Sequence, residues 1–549
     1  MQLLVPHLGF GTAPGRAVIL LGADTPTNAV LAGPLSVPLA SGPAEQVPGW
    51  SIGACSRIVL PDDLPSGTYT VRVGSVESAP FVIEPDRLQR QTMSDVLAYF
   101  KAMRSSGEID RKDRTARLWD DDSGTTVDAR GGWLDASGDT SKFLSHLTYT
   151  STMSPQQIPL CAWAMLAARD EITSRHPALT RLLSTRLRDE ALFGADFLIR
   201  FRSPDGYFYT GIFDALTKQL DERFITAPLQ NSVRTPRYQA AYRHGAGLAI
   251  AALARASTTD ADTRSTYLNA AYDAFIHLEQ HNRNYLFDNT ESIVDDYCAL
   301  LGTTELAAAL NVTDDRIAGV ANAAWRRANS LVARYVSSGD GPGWFRADEA
   351  GRPFVHAAEP GLPILALLRF AEVFPTTRQA EHARTTAVRA MLDVLDRTAA
   401  VPNPFGYPRN ALNQFFFPHD NETGYWWQGE NAAIASLSAA ASACARADGV
   451  TAADRLRLQV FAADQLAWIL GRNPYDVCML QGRGRNNPEY HSDFPNLPGG
   501  IVNGITSGWT DEKDVAFLPT NAPSGETWRW AEQWIPHTGW FLLATASAG

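Results

Sequence analysis

The chain has 549 residues and a formal net charge of −11, with 45% of residues hydrophobic and 19% charged. That balance supplies a large core and excludes a disordered chain. The acidic charge excludes a nucleic-acid binder built on a basic stripe, while 14 Trp and 16 Tyr suit a neutral or cationic sugar.

Residues 1–86 read as strands. An apolar run at 16–22 ends in Gly22, Tyr69, Val71 and Val73 alternate with Thr70 and Arg72, and Phe81-Val82-Ile83 follows Pro80. Gly and Pro punctuate these runs, as in a small β-sandwich. After Glu84-Pro85-Asp86 the period changes. Met93, Val96, Leu97, Phe100 and Met103 mark one face of a helix. About twelve helical segments follow, at roughly 88–104, 154–173, 178–202, 237–256, 262–281, 291–310, 313–337, 360–373, 376–398, 426–446, 452–471 and 527–546. Ser154-Pro155, Asp262 and Thr451 are expected helix starts. Twelve helices in consecutive hairpins fit a six-hairpin toroid or a solenoid. The long loops 105–153, 203–236, 338–359, 399–425 and 472–526 are rich in Gly, Pro, Trp, Tyr and Asn, and are expected to build a cleft at one rim.

Cys55, Cys161, Cys298, Cys444 and Cys478 are scattered and form no Cys-x-x-Cys pair, which points to neither a zinc ribbon nor a disulfide framework. Free thiols suit a reducing compartment. The stretch Met1-Gln2-Leu3-Leu4-Val5-Pro6-His7 shows none of the marks of a secretory signal, so a cytoplasmic location is expected.

Four stretches carry chemistry. In Gly131-Gly132-Trp133-Leu134-Asp135-Ala136-Ser137-Gly138-Asp139, two carboxylates stand in a Gly-rich, Trp-bearing loop, the layout needed to activate a water beside a sugar ring. Such chemistry needs a second acid with a raised pKa. Glu532 lies between Trp530 and Trp534, whose apolar rings favour the protonated form, and Glu526 is its rival. Trp426, Trp427, Glu430 and Asp420 cluster at the mouth of an expected helix, where rings can stack on a pyranose and carboxylates can hold hydroxyls or an amine. Leu470-Gly471-Arg472-Asn473-Pro474 is followed by Arg483, Arg485 and His491, which can donate to sugar hydroxyls.

The first stretch resembles the Gly-Gly-Trp-Tyr-Asp-Ala-Gly-Asp signature of glycoside hydrolase family 9, with Ser137 inserted before the second Gly. Leu470 to Pro474 is similar to that family's Leu-Gly-Arg-Asn-Pro run. The resemblance implies an (α/α)6 toroid over 87–549 with an immunoglobulin-like module at 1–86. It implies Asp139 as general base, Asp135 as its partner and Glu532 as general acid. His491, with Arg483 or Arg485, stands in for a His-His-Arg run. The expected sugar contacts are Trp133, Trp426, Trp427, Trp534, His491, Arg483, Glu430 and Asp420. No metal-ligand cluster stands out, and no cofactor is expected.

The stretch from Asp135 through Ser141-Lys142-Phe143-Leu144-Ser145-His146 looks like the family's bacterial exo-β-glucosaminidase and β-glucosidase branch. The expected activity is inverting exo-hydrolysis of short β-linked glucosamine or glucose oligosaccharides, with no nucleic-acid or membrane partner. The alternatives are an endo-β-1,4-glucanase, a six-hairpin polysaccharide lyase and a non-catalytic sugar binder.

Overall fold

The computed structural model describes residues 1–549 except 23–27, 147–152, 230–231, 339–340, 412–413, 422–423, 426 and 491–494. The chain begins with strands β1 (Gln2–Leu4), β2 (Ala17–Leu21), β3 (Asn28–Ala32), β4 (Val37–Ala40), β5 (Cys55–Val59), β6 (Gly67–Val73), β7 (Val76–Glu77) and β8 (Phe81–Ile83). They form two sheets, β1-β2-β5 and β4-β3-β6-β7, with β8 pairing β6. Alternation on β6 turns Tyr69, Val71 and Val73 inward and Arg72 outward. With Val18, Leu20, Leu31, Ile58, Phe81 and Ile83 they make a core separate from that of the helices.

Helices follow from Arg87. They are α1 (Arg87–Ala102), α2 (Gly107–Asp113), α3 (Ile158–Arg175), α4 (Pro177–Arg200), α5 (Ala246–Ala256), α6 (Arg264–His281) and α7 (Ile293–Ala309). Then come α8 (Ile317–Arg334), α9 (Leu362–Val373), α10 (Arg378–Ala399), α11 (Asn431–Arg446), α12 (Ala452–Ile469), α13 (Trp528–Ala531) and α14 (Ile535–Ser547). Contacts close a ring α3-α5-α7-α9-α11-α14 and back to α3, and each member carries an outer partner: α4, α6, α8, α10, α12 and α1. This is an (α/α)6 toroid. The inner helices are apolar all round because helices enclose them: every residue of α14 is buried, and every residue of α5 except Arg255.

Several boundaries differ from expectation. Thr451 caps α12, accepting from Asp454 N at 3.1 Å. The helix expected from 154 starts at Ile158, with Pro159 in its first turn, and the cap expected at Asp262 falls on Thr263. The helix expected from 237 starts at Ala246, because Gly245 turns left-handed at φ 98 against Leu144. There a Cβ would lie 2.4 Å from the Leu144 side chain. The helix expected over 527–546 is two, α13 and α14, with an extended break between them. Among the described residues no helix is long and apolar enough to cross a membrane.

The sandwich docks on the toroid through Trp50, which packs against Phe405, Tyr407, Phe415, Phe416 and Trp468. Polar ties flank it. Arg57 grips Asp464 through two hydrogen bonds of 3.0 and 2.9 Å, and Arg472 pairs with the same carboxylate. His7 Nε2 meets Asp476 Oδ1 at 2.9 Å, and Arg485 also holds Asp476. The Leu470 to Pro474 run is therefore part of this seam.

Candidate active site

The inner helices share one orientation, so the segments entering their N-termini gather at one mouth of the toroid. The paired aspartates lie in the loop before α3, and Glu532 lies just before α14, the neighbouring inner helix.

The aspartates are set by a tight turn. Asp139 N donates to Ala136 O at 3.2 Å, and Gly138 supplies the positive φ of 96° that the turn requires. Ser141 N donates to Asp139 Oδ1 at 2.8 Å. Asp135 Oδ1 accepts from Trp534 Nε1 at 3.0 Å and from Gln157 Nε2. Burial, then the Asp139 charge, lifts Asp135 well above the usual carboxylate range. Burial also raises Asp139, but the Ser141 hydrogen bonds and the Arg223 charge pull it back. Asp135 is buried and Asp139 half-buried, so the protonated form is favoured more strongly at Asp135.

Glu532 sits in the extended break. Ala136 bridges Trp534 and Val502 bridges Gln533 as isolated strand pairs, while Asn503 N donates to Glu532 O at 2.7 Å. Pro536 lies in the first turn of α14, where its missing N–H would have no helical partner in any case. Burial raises the Glu532 carboxyl well above its usual range, and the Asp135 and Asp139 charges push it further. The three carboxyl groups therefore sense one another, and the protonated form of Glu532 is favoured. Glu526 stands apart, paired with Arg529 at 2.7 Å.

A buried ionic knot underlies the turn. Arg223 grips Asp113 at 2.8 and 2.9 Å and donates to Thr140 O at 2.8 Å. Lys142 reaches Asp113 at 2.7 Å and donates to Ala129 O and Gly131 O. Asp214 accepts from Thr140 Oγ1 at 2.9 Å. Sequence reading missed these residues; the one signal was a Lys inside the short strand β11 (Lys142–Phe143), since β9 (Ala116–Leu118) and β10 (Thr126–Val127) precede it without a comparable charge buried so fully.

Several expected sugar contacts lie elsewhere. Trp133 has no exposure; its Nε1 donates to Glu190 at 3.0 Å, and its ring packs on Phe100 and Phe193. It is a core residue under the turn rather than a cleft wall. Trp427 is buried against His419, Trp509 and Trp530. Trp534 holds Asp135 rather than presenting a face. Glu430 is caged: it accepts from Phe417 N at 2.8 Å, Tyr407 at 3.2 Å and Thr506 at 3.2 Å, and burial raises it to about 7. Those donors fill the carboxylate that was expected to meet an amine. Arg483 pairs with Asp95 of α1, and Asp420 is exposed. Trp426 and His491 lie outside the described residues. Two groups went unpredicted: Tyr490, whose hydroxyl stands 3.5 Å from Glu532 Oε1, and half-buried Trp509.

A further carboxyl sits at the same mouth. Glu359 accepts from Tyr297 at 2.7 Å and from Gln156 N at 2.9 Å, and burial raises it to about 8. In the unfolded chain it ionises near about 4.3. The stability it contributes is full below that pH and is lost as pH rises through about 8. Burial lowers His356 to about 3, which acts in the opposite direction, but His356 is common to both proteins in a comparison with Glu359→Gln. The stability of the wild type relative to Glu359→Gln should therefore fall between about pH 5 and about pH 8, measured by urea unfolding. A pH-independent difference would contradict this.

Among the described residues, no group of three or more His, Cys, Asp and Glu side chains is gathered for a metal ion.

No curated protein matches the chain. A Bacteroides ovatus protein of family 9 superposes with a TM-score of 0.68 at 16% identity, covering 99% of this chain and 98% of that one. A metagenome-derived family 9 endoglucanase gives 0.67 at 17% identity, over 99% and 98%. A cellulase of C. cellulolyticum in complex with cellobiose gives 0.51 at 16% identity, over 82% and 98%. At these identities the likeness establishes the fold. Residues 90–498 match glycosyl hydrolase family 9, most of the catalytic toroid. The chain belongs to glycosyl hydrolase family 9 and is a glycoside hydrolase.

Proposed function

We propose that the enzyme is an inverting exo-β-glycosidase that releases glucose or glucosamine from short β-linked oligosaccharides. Asp139 is the general base, Asp135 its partner and Glu532 the general acid. The observation that carries this reading is the joining of the aspartate turn to the Glu532 strand at the Ala136–Trp534 bridge, with all three carboxyls electrostatically coupled. Asp139, the more open of the pair, takes a proton from water as its oxygen attacks the anomeric carbon. Glu532 gives its proton to the departing glycosidic oxygen as that bond breaks. Turnover leaves Asp139 protonated and Glu532 ionised, and exchange with solvent restores both.

Exo action is supported by the long loops. β11 pairs β12 (Gly211–Phe213), which pairs β13 (Phe224–Ile225), and β13 pairs β9, giving a five-stranded wall β10-β9-β13-β12-β11 beside the aspartates. Trp509, half-buried against Trp427, is an aromatic face available to a sugar among the described residues. Five free, buried thiols support a reducing, cytoplasmic setting.

The second reading is an endo-β-1,4-glucanase; the metagenome-derived neighbour is named an endoglucanase. Digestion of β-linked tetrasaccharides separates the two. Monosaccharide from the first time point supports exo action; internal products, with rapid viscosity loss of carboxymethylcellulose, overturn it. Because Glu430 is caged, Glu430→Gln should slow glucosaminide and glucoside hydrolysis by similar factors. A selective loss on glucosaminides would restore it as an amine reader.

A further inference from the structure

Ser137 is the residue by which this chain's acidic loop exceeds the motif it resembles, and it is buried. It occupies the second position of the turn that returns Asp139 N to Ala136 O. Its N–H donates to Gln533 O at 2.9 Å, and its Oγ accepts from Gln533 N at 2.8 Å. The same Oγ donates to Asn496 Oδ1 at 2.8 Å, while Asn496 Nδ2 donates to Ala531 O at 2.7 Å. Ala531 and Gln533 are the two chain neighbours of Glu532. One hydroxyl and one amide thus clamp the backbone on both sides of the acid and tie it to the tip of the turn that carries the base.

From this geometry we infer that Ser137 is a positioning residue: with Asn496 it sets the spacing between Glu532 and the Asp135–Asp139 pair. The inference rests on the assignment of those carboxyls as acid and base. It identifies the inserted residue as the hinge pin of the catalytic geometry rather than a spacer in a loop. A near-attack arrangement is sensitive to displacements well under the size of an atom, so loss of the hydroxyl acts on turnover more than on binding. Proton donation to the leaving group suffers most, because the clamp encloses Glu532.

The test compares Ser137→Ala and Ser137→Thr with the wild type on a β-linked disaccharide and on a dinitrophenyl β-glycoside, which needs little protonation. Ser137→Ala should lower kcat on the disaccharide on the order of tenfold, with KM within about twofold. It should leave the activated substrate nearly unaffected, and Ser137→Thr should restore the disaccharide rate. Equal losses on both substrates, or none, would overturn the inference. Should Ser137→Ala fail to fold, Asn496→Ala carries the same two readouts, since it leaves the Ser137–Gln533 bonds in place. Asp139→Asn and Glu532→Gln run alongside. If those retain wild-type activity, the acid and base assignment fails by itself; if they are inactive while Ser137→Ala shows no leaving-group dependence, only the positioning role fails.

Discussion

Glu532→Gln should lower turnover of a β-linked disaccharide by about 10³-fold, and Asp139→Asn by a similar factor, with folding unchanged. The two variants differ in how they respond to the leaving group. Glutamine cannot donate a carboxyl proton, so Glu532→Gln fails where the departing alkoxide is a strong base. A dinitrophenyl leaving group departs without a proton and should recover most of the rate. Asp139→Asn should stay slow on both substrates, because the water still lacks a base. Asp135→Asn should lose less than either, since its amide oxygen can still accept from Gln157 and Trp534. Wild-type turnover of a disaccharide by Glu532→Gln would remove Glu532 as the acid.

Asp113→Ala should destabilise the protein by about 3–5 kcal/mol, measured as a shift in the urea midpoint. The carboxylate is buried and holds two buried cations, Arg223 and Lys142. Removing it leaves both charges without their common partner in a region water does not reach. The effect reaches the chemistry, because Arg223 also supports Thr140 O, next to Asp139. Activity should therefore fall with stability. An unchanged midpoint would mean that the cations find new partners or lose their charge at little cost.

The fold was legible because its signals are periodic. Alternation on β6 and the apolar periodicity of the helices each reflect one buried face, and Thr451 marks a helix start by a purely local bond. The paired aspartates and Glu532 were legible by residue type and neighbours. What the sequence hid is long-range. Trp133 reads as an aromatic wall until Glu190, 57 residues away, is seen to take its N–H. Glu430 reads as an open carboxylate, yet its donors come from Tyr407, Phe417 and Thr506, which no local pattern links. His7 reads as an ordinary loop residue, and its partner Asp476 is 469 residues distant. Pro536 was a local sign of a new helix start, but the favourable helix pattern on both sides of Glu532 outweighed it.

The central claim is that a water, deprotonated by Asp139, attacks opposite a leaving group protonated by Glu532. Time-resolved proton NMR of the first turnovers on a β-linked disaccharide reads this directly. The account predicts that the α-anomer of the released sugar appears first and then relaxes by mutarotation. The β-anomer appearing first would contradict it, since retention requires a covalent intermediate in place of direct attack by water.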